Sequence, residues 1–140
     1  MPPASSARLP RQVLFLGEDP FLREAARLEL APALEVVPLT SYGQALSLID
    51  AAPAPAAILL DLGWPGSQGS ADFLAALVER DYPGPRILLS SRFRPEEAAT
   101  LSQSSVIHFA LATPWANGEL RSFMEAALGF RPFPGVLPPM

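Results

Sequence analysis

Polar side chains that could take part in chemistry follow several short apolar runs of this sequence, at the points where the runs end. Six residues share this position: Glu18, Asp19, Asp61, Ser90, Ser91 and Thr113. Carboxylate and carbonyl oxygens are the ligands that a hard cation such as Mg²⁺ prefers. If the apolar runs are neighbouring strands, their ends form a small acidic site that is flanked by hydroxyl groups.

The apolar runs alternate with helix-like segments. The predicted strands are 13–16, 34–39, 56–60, 86–89 and 106–111. The first predicted helix begins at Pro20, and the other four cover 42–50, 71–80, 95–103 and 117–128. Five strand–helix units in one domain predict an α/β fold with a doubly wound parallel sheet. In such a sheet, ligands bind at the carboxyl ends of the strands, where the six polar residues lie.

Local signals predict where the helices begin and which sides face the core. Asp19 is a predicted N-cap before Pro20, and Ser41 and Gln44 have the spacing of a capping box. Apolar residues at helical spacing predict three buried faces: Phe21, Leu22, Ala25 and Leu28 with Ala26 as a further candidate; Phe73, Leu74, Leu77 and Val78; and Leu120, Phe123, Met124 and Ala127.

Composition excludes several classes of function. The 140 residues are 49% apolar and 17% charged, which is typical of one globular domain, and the net charge of −4 argues against a nucleic-acid surface. The chain has no cysteine and one histidine, His108, so disulfides and cysteine or multi-histidine metal sites are excluded. No apolar run approaches the length of a membrane span. We expect a cytoplasmic protein with an extended leader (1–10), a globular domain (11–130) and a proline-rich tail (131–140).

The basic residues are all arginine, and no lysine occurs anywhere in the chain. No glycine-rich dinucleotide loop follows the first strand, and no phosphate-binding loop that ends in lysine and a hydroxyl residue is present. Nucleotide binding is therefore not favoured. A small ligand-binding domain or enzyme with a flavodoxin-like fold remains an alternative.

Four segments resemble the response-regulator receiver domains. The stretch DLGWPGSQG at 61–69 matches their Asp-x-x-x-Pro-x-x-x-Gly loop, with Pro65 and Gly69 in register. VLFLGEDPFLR at 13–23 resembles their first strand and acidic corner, ILLSS at 87–91 their fourth strand, and ATPWANGEL at 112–120 the turn into their last helix. The resemblance covers nearly the whole globular part and implies a (βα)5 flavodoxin-like fold with strand order 2-1-3-4-5.

The resemblance also implies roles for individual residues. Asp61 matches the aspartate that accepts a phosphoryl group, and Ser90 matches the hydroxyl residue that contacts it. Glu18 matches one of two acidic residues that hold Mg²⁺, and the backbone carbonyl of Gly63 falls where the family supplies a further ligand. Asp19 is an alternative metal ligand, although its position favours a helix cap.

Three positions depart from the family pattern. Gly17 stands where the second acidic residue is expected, Thr113 replaces the lysine that holds the phosphoryl group, and Ala110 replaces the aromatic switch residue. An ammonium 4 Å from a phosphoryl oxygen contributes up to about 4 kcal/mol of attraction at an effective dielectric of 20, whereas a hydroxyl hydrogen bond contributes about 1 kcal/mol. The Thr113–Pro114 bond is expected to be cis, as is typical of this turn.

These departures predict a degenerate receiver, or pseudo-receiver. It would be a non-enzymatic domain of a two-component-type pathway that binds a histidine kinase or a scaffold protein, or forms a homodimer, through its fourth helix, fifth strand and fifth helix. The first alternative is a slow but functional phosphoacceptor that uses Asp61 and Mg²⁺. In neither case do we expect nucleic-acid binding or membrane insertion.

Overall fold

The computed structural model describes residues 11–51, 53–63, 69–91 and 109–129, and its strands form one parallel sheet. The strands are β1 (Arg11–Leu16), β2 (Leu34–Leu39), β3 (Ala57–Asp61), β4 (Arg86–Ser90) and β5 (Phe109–Ala112). Their order is β2-β1-β3-β4-β5, and every neighbouring pair is parallel. The predicted doubly wound sheet and its strand order are confirmed.

In the described residues, four helices connect or follow these strands. They are α1 (Pro20–Leu30), α2 (Tyr42–Asp50), α3 (Ser70–Glu79) and α4 (Glu119–Leu128). Helix α4 begins at Glu119 rather than Asn117, because Gly118 has a φ of 83°, in the left-handed region. The helix predicted at 95–103 lies outside the described residues. In the described part of the chain, no helix has the length and apolarity that crossing a bilayer requires.

The core consists of two apolar layers, one on each face of the sheet. Alternating residues of a strand point to opposite faces, so Val13 and Phe15 of β1 pack in the layer that contains α1 and α4. Leu14 and Leu16 pack in the layer that contains α2 and α3. Strands β3 and β4 are buried along their whole length, as is typical of central parallel strands covered on both sides.

The predicted buried face of α1 is partly wrong. Phe21 and Leu28 are 85% and 61% exposed, whereas Ala26 and Leu30 are buried and Leu22 packs against the core. Ala25, also assigned to that face, is exposed. The helix carries two apolar stripes, and the sheet covers only the one that has Leu22, Ala26 and Leu30 at four-residue spacing.

The faces of α3 and α4 follow the prediction more closely. Phe73, Leu74 and Leu77 are buried, but Val78 is 42% exposed at the solvent side of α3. On α4, Leu120 and Met124 are fully buried; Phe123 and Ala127 are half-buried.

Side-chain caps fix the first residues of α1 and α2. Asp19 Oδ1 accepts hydrogen bonds from the backbone N–H groups of Phe21 at 2.8 Å and Leu22 at 3.2 Å. Ser41 Oγ accepts one from the N–H of Gln44 at 3.3 Å. Both predicted caps are confirmed, and the cap at Asp19 places the start of α1 directly beside the carboxyl end of β1.

Candidate functional site

An acidic pocket of about 360 Å³ lies at the carboxyl ends of the strands. Residues that follow β1, β3, β4 and β5 line it together with the first turn of α1: Glu18, Asp19, Leu22, Asp61, Gly63, Ser91 and Thr113. The structure therefore brings together the predicted acidic corner, the predicted phosphoacceptor and the residue that replaces the lysine. We refer to this cavity as the acidic pocket.

Asp61 is the last residue of β3 and forms the buried part of the acidic pocket. Its side chain is 6% exposed, and its Oδ1 accepts a hydrogen bond from the N–H of Gly63 at 2.9 Å. Burial raises the pKa of Asp61, the Gly63 hydrogen bond acts in the opposite direction, and the negative charge of Asp19 raises the pKa further. A cation beside this carboxylate would stabilise its ionised form.

Gly17 packs directly against Asp61. A Cβ atom at residue 17 would lie 2.8 Å from Asp61 Cβ and 3.1 Å from Phe15 Cε1. The backbone is held in place as well, because the Gly17 N–H donates to the carbonyl of Leu39 at 3.2 Å. The structure therefore has no space for a second carboxylate at residue 17 unless Asp61 moves.

The oxygen donors of the acidic pocket fit a hard cation. The carboxylates of Glu18 and Asp61 and the carbonyl of Gly63 are the donors that Mg²⁺ prefers, with water as its usual further ligand. Asp19 is less available, because its Oδ1 already caps α1. Among the described residues, no three His, Cys, Asp or Glu side chains form a metal-binding group, so Mg²⁺ would have few side-chain ligands here.

The two serines after β4 take different positions. Ser91 lines the acidic pocket, whereas Ser90, the serine singled out by the sequence, is the 8%-exposed last residue of β4. The carbonyl of Ser90 accepts a hydrogen bond from the N–H of Thr113 at 3.0 Å. Ser90 therefore holds Thr113 at the edge of the acidic pocket through its backbone.

The segment after β5 carries the remaining predicted positions. Thr113 lines the acidic pocket, and the predicted cis bond between Thr113 and Pro114 is present. Ala110 lies within β5 opposite Leu88 of β4. Within the described ranges, no arginine lines the acidic pocket.

One residue with many contacts to the segment after β5, Glu29, was not predicted from the sequence. Its carboxylate, in the last turn of α1, accepts hydrogen bonds from Trp115 Nε1 at 3.3 Å, from the N–H of Gly118 at 3.3 Å and from the N–H of Arg121 at 2.7 Å. Its carbonyl accepts two more from the Arg121 guanidinium. No local pattern indicates these contacts, because Glu29 and Trp115 are 86 residues apart.

Comparison by sequence finds no matching protein-family model and no matching curated protein. Comparison of structures finds clear similarity. The signal receiver domain of an HD domain-containing protein from Pseudomonas fluorescens is 21% identical with a TM-score of 0.72, over 88% of this chain and 90% of that one. A response regulator from Thermotoga maritima is 11% identical with a TM-score of 0.74, over 86% and 99%.

A two-component response regulator of the LuxR family from an Aurantimonas species is also similar. It is 20% identical with a TM-score of 0.70, over 87% of each chain. The chain therefore has the fold of response-regulator receiver domains, as the sequence resemblance implied.

Proposed function

We propose that this chain is a receiver-like signal-transduction domain of a two-component-type pathway, and that it acts through protein–protein interaction without ordinary phosphorylation of Asp61. The observation that carries the proposal is the acidic pocket, in which Asp61, Glu18 and Thr113 meet at the carboxyl edge of a receiver-type sheet. The domain is a non-enzymatic, cytoplasmic interaction module. Asp61 is the phosphoacceptor or its remnant.

Two features of the acidic pocket oppose phosphoryl transfer. Thr113 offers a hydroxyl where a cation would neutralise the phosphoryl oxygens. Without the cation, up to about 4 kcal/mol of electrostatic attraction is lost, and a hydrogen bond from the hydroxyl restores about 1 kcal/mol. Gly17 supplies no carboxylate for a metal, and the packing against Asp61 leaves no room for one. Ala110 supplies no aromatic ring to report the state of the pocket, and Ser90 retains the hydroxyl position next to it.

A slow phosphoacceptor is the second candidate, because part of the metal-binding set is present. Glu18, Asp61 and the carbonyl of Gly63 would hold Mg²⁺. When bound, the cation neutralises charge on the phosphoryl oxygens. Burial disfavours the ionised form of Asp61 and raises its pKa, and a cation beside this carboxylate would offset that effect. In this case Thr113 lowers the rate of transfer without abolishing it.

The partners that we propose are other signalling proteins, namely a histidine kinase or a scaffold, or a second copy of this domain. The proposed surface consists of β5, α4 and the helix predicted at 95–103, which lies outside the described residues. A partner that binds this surface would set the conformational equilibrium in place of phosphorylation. The net charge of −4 argues against nucleic acid as a partner.

Intact mass spectrometry tests the proposal. The protein is incubated with Mg²⁺ and acetyl phosphate beside an Asp61→Asn variant, which retains an oxygen to accept the Gly63 hydrogen bond. We expect no gain of a phosphoryl group in either protein at any Mg²⁺ concentration. A gain in the wild type that is absent from Asp61→Asn would overturn the pseudo-receiver proposal and favour the slow phosphoacceptor.

A further inference from the structure

Helix α1 contacts the acidic pocket at one end and the segment after β5 at the other. Asp19 and Leu22, at its start, line the pocket. Glu29, in its last turn, binds the segment that begins at Thr113 and leads into α4. This segment therefore has two connections to the acidic pocket. Thr113 lines the pocket itself, and Glu29 belongs to the helix whose first turn also lines it.

The contacts of Glu29 replace a missing helix cap. The N-cap residue of α4 is Gly118, which has no side chain that could accept a hydrogen bond. Glu29 accepts from the N–H groups of Gly118 and Arg121 instead. Hydrogen bonds to an ionised carboxylate are stronger than neutral ones, and a negative charge beside the first turn of a helix is stabilised by the helix dipole.

Trp115 is the link between this cap and the acidic pocket. Its indole Nε1 donates to Glu29 Oε1 at 3.3 Å, and the ring packs against the core layer that contains α1. Trp115 follows Thr113 by two residues. Thr113 and Trp115 therefore belong to one short segment, which contacts the acidic pocket at Thr113 and Glu29 at Trp115.

We propose that Glu29 is a positioning residue that holds Trp115 and the start of α4 against α1, and so couples the position of Thr113 at the acidic pocket to α1. Ala110 has no aromatic ring that could move with the pocket. The Trp115 indole, by contrast, is hydrogen-bonded to Glu29 of α1, and the first turn of this helix lines the acidic pocket. The inference deepens the proposed function and rests on it for its signalling role. The contact itself is independent of phosphorylation.

Proton–nitrogen NMR tests the proposal through the indole N–H of Trp115. A Trp64→Phe background leaves this as the single tryptophan indole signal. We expect Glu29→Ala to move the indole signal and the amide signals of Gly118 and Arg121, because all three lose their acceptor. Glu29→Gln keeps one acceptor oxygen and should move them less. The matched control is Glu24→Ala, which removes an exposed carboxylate of the same helix that pairs with Arg27.

The coupling is tested by combining these variants with Asp61→Asn, which changes the charge of the acidic pocket without requiring a metal or a phosphodonor. We expect Asp61→Asn to shift the Trp115 indole signal, and this shift to fall by about twofold or more when Glu29 is replaced. Glu29→Gln provides the comparison if Glu29→Ala does not fold.

Two results would overturn the inference. An indole signal unchanged by Glu29→Ala and Glu29→Gln would mean that the contact does not form in solution. An equal effect of Asp61→Asn with and without Glu29 would mean that the coupling does not pass through this residue. Failure of the proposed signalling function would change neither NMR result, so the two failures are distinguishable.

Discussion

Among individual residues, the close packing of Gly17 against Asp61 does most to define the acidic pocket. From the sequence, glycine in place of an acidic residue at position 17 predicts weaker metal binding. The structure adds a steric reason, because even a methyl group at this residue would lie 2.8 Å from Asp61 Cβ. Gly17 and Asp61 thus form a pair in which one residue has no side chain so that the other can be buried.

We predict that Gly17→Ala lowers the free energy of unfolding by about 1–3 kcal/mol, because the added methyl group overpacks the pocket. Urea denaturation followed by circular dichroism measures the change. The matched control is Gly43→Ala in α2, where a Cβ atom has only Ser41 Oγ at 3.5 Å. This control should raise stability by up to about 1 kcal/mol. A Gly17→Ala variant as stable as the wild type would contradict the packing argument.

We predict that Asp61→Asn stabilises the fold at neutral pH. Burial raises the pKa of Asp61 in the folded protein, so its ionisation disfavours folding. That cost is absent below the unfolded pKa of about 3.9 and grows as pH rises through the folded pKa. The variant should therefore be more stable than the wild type at pH 7, and the difference should shrink toward pH 4. Urea denaturation as a function of pH measures it, and a gain independent of pH would contradict this explanation.

For the helices, local sequence signals predicted the first residues better than they predicted which side is buried. The caps at Asp19 and Ser41 depend on neighbours within three residues, and the structure contains both. The buried face of α1 depends on which of two apolar stripes meets the sheet, which spacing alone leaves undecided. The contacts of Glu29 depend on residues far away in the sequence, and no periodic pattern indicates them.

The cap at Asp19 also affects the acidic pocket. Its charge raises the pKa of Asp61, and its Oδ1 accepts from two N–H groups of α1. We predict that Asp19→Asn lowers the pKa of Asp61 while α1 remains capped, because asparagine is also a good N-cap. Carbon NMR titration of the Asp61 carboxyl measures the change. Asp19→Ala should additionally cost about 1 kcal/mol of stability. An unchanged or higher Asp61 pKa in Asp19→Asn would contradict the prediction.

Strand β4 begins with a buried cation. Arg86 is 3% exposed, its Nη1 donates to the carbonyl of Gly84 at 2.8 Å, and its guanidinium lies over the Tyr82 ring at 5.2 Å. Its Nε has no hydrogen-bond partner, and no carboxylate of the described residues pairs with it. Burial lowers the pKa of Arg86, which shows that the charged form is disfavoured here.

We predict that Arg86→Met raises the free energy of unfolding by roughly 1 kcal/mol. Burying the guanidinium charge costs more free energy than its hydrogen bond, which contributes about 1 kcal/mol, gives back. Methionine removes both contributions, so the variant gains stability. Thermal and urea denaturation measure the change. The matched control is Arg80→Met, which breaks an ion pair with Asp50 near the surface and should lower stability by less than about 1 kcal/mol. A strongly destabilised Arg86→Met would show that the buried guanidinium supports the fold.

At the scale of the whole molecule, alternation of apolar runs and helices was enough to predict the parallel sheet and the edge where the pocket forms. Asp61, Glu18, Gly63 and Thr113 come together because each lies at or just after the end of a strand at that edge. That Ser91 lines the acidic pocket while Ser90 is the last residue of β4 was not predictable, because it depends on where β4 stops. The lack of space for a side chain at residue 17 was likewise not predictable, because it depends on how deeply Asp61 is buried.

Among the described residues, no cationic side chain lines the acidic pocket, and we propose that phosphoryl transfer fails for lack of such a charge. The most direct test is the rate of phosphoryl incorporation from acetyl phosphate, in Mg²⁺, into the wild type and into Thr113→Lys, followed by intact mass. We predict no incorporation in the wild type, and incorporation in Thr113→Lys that Asp61→Asn abolishes in the same background. Any incorporation in the wild type that Asp61→Asn abolishes would overturn this prediction.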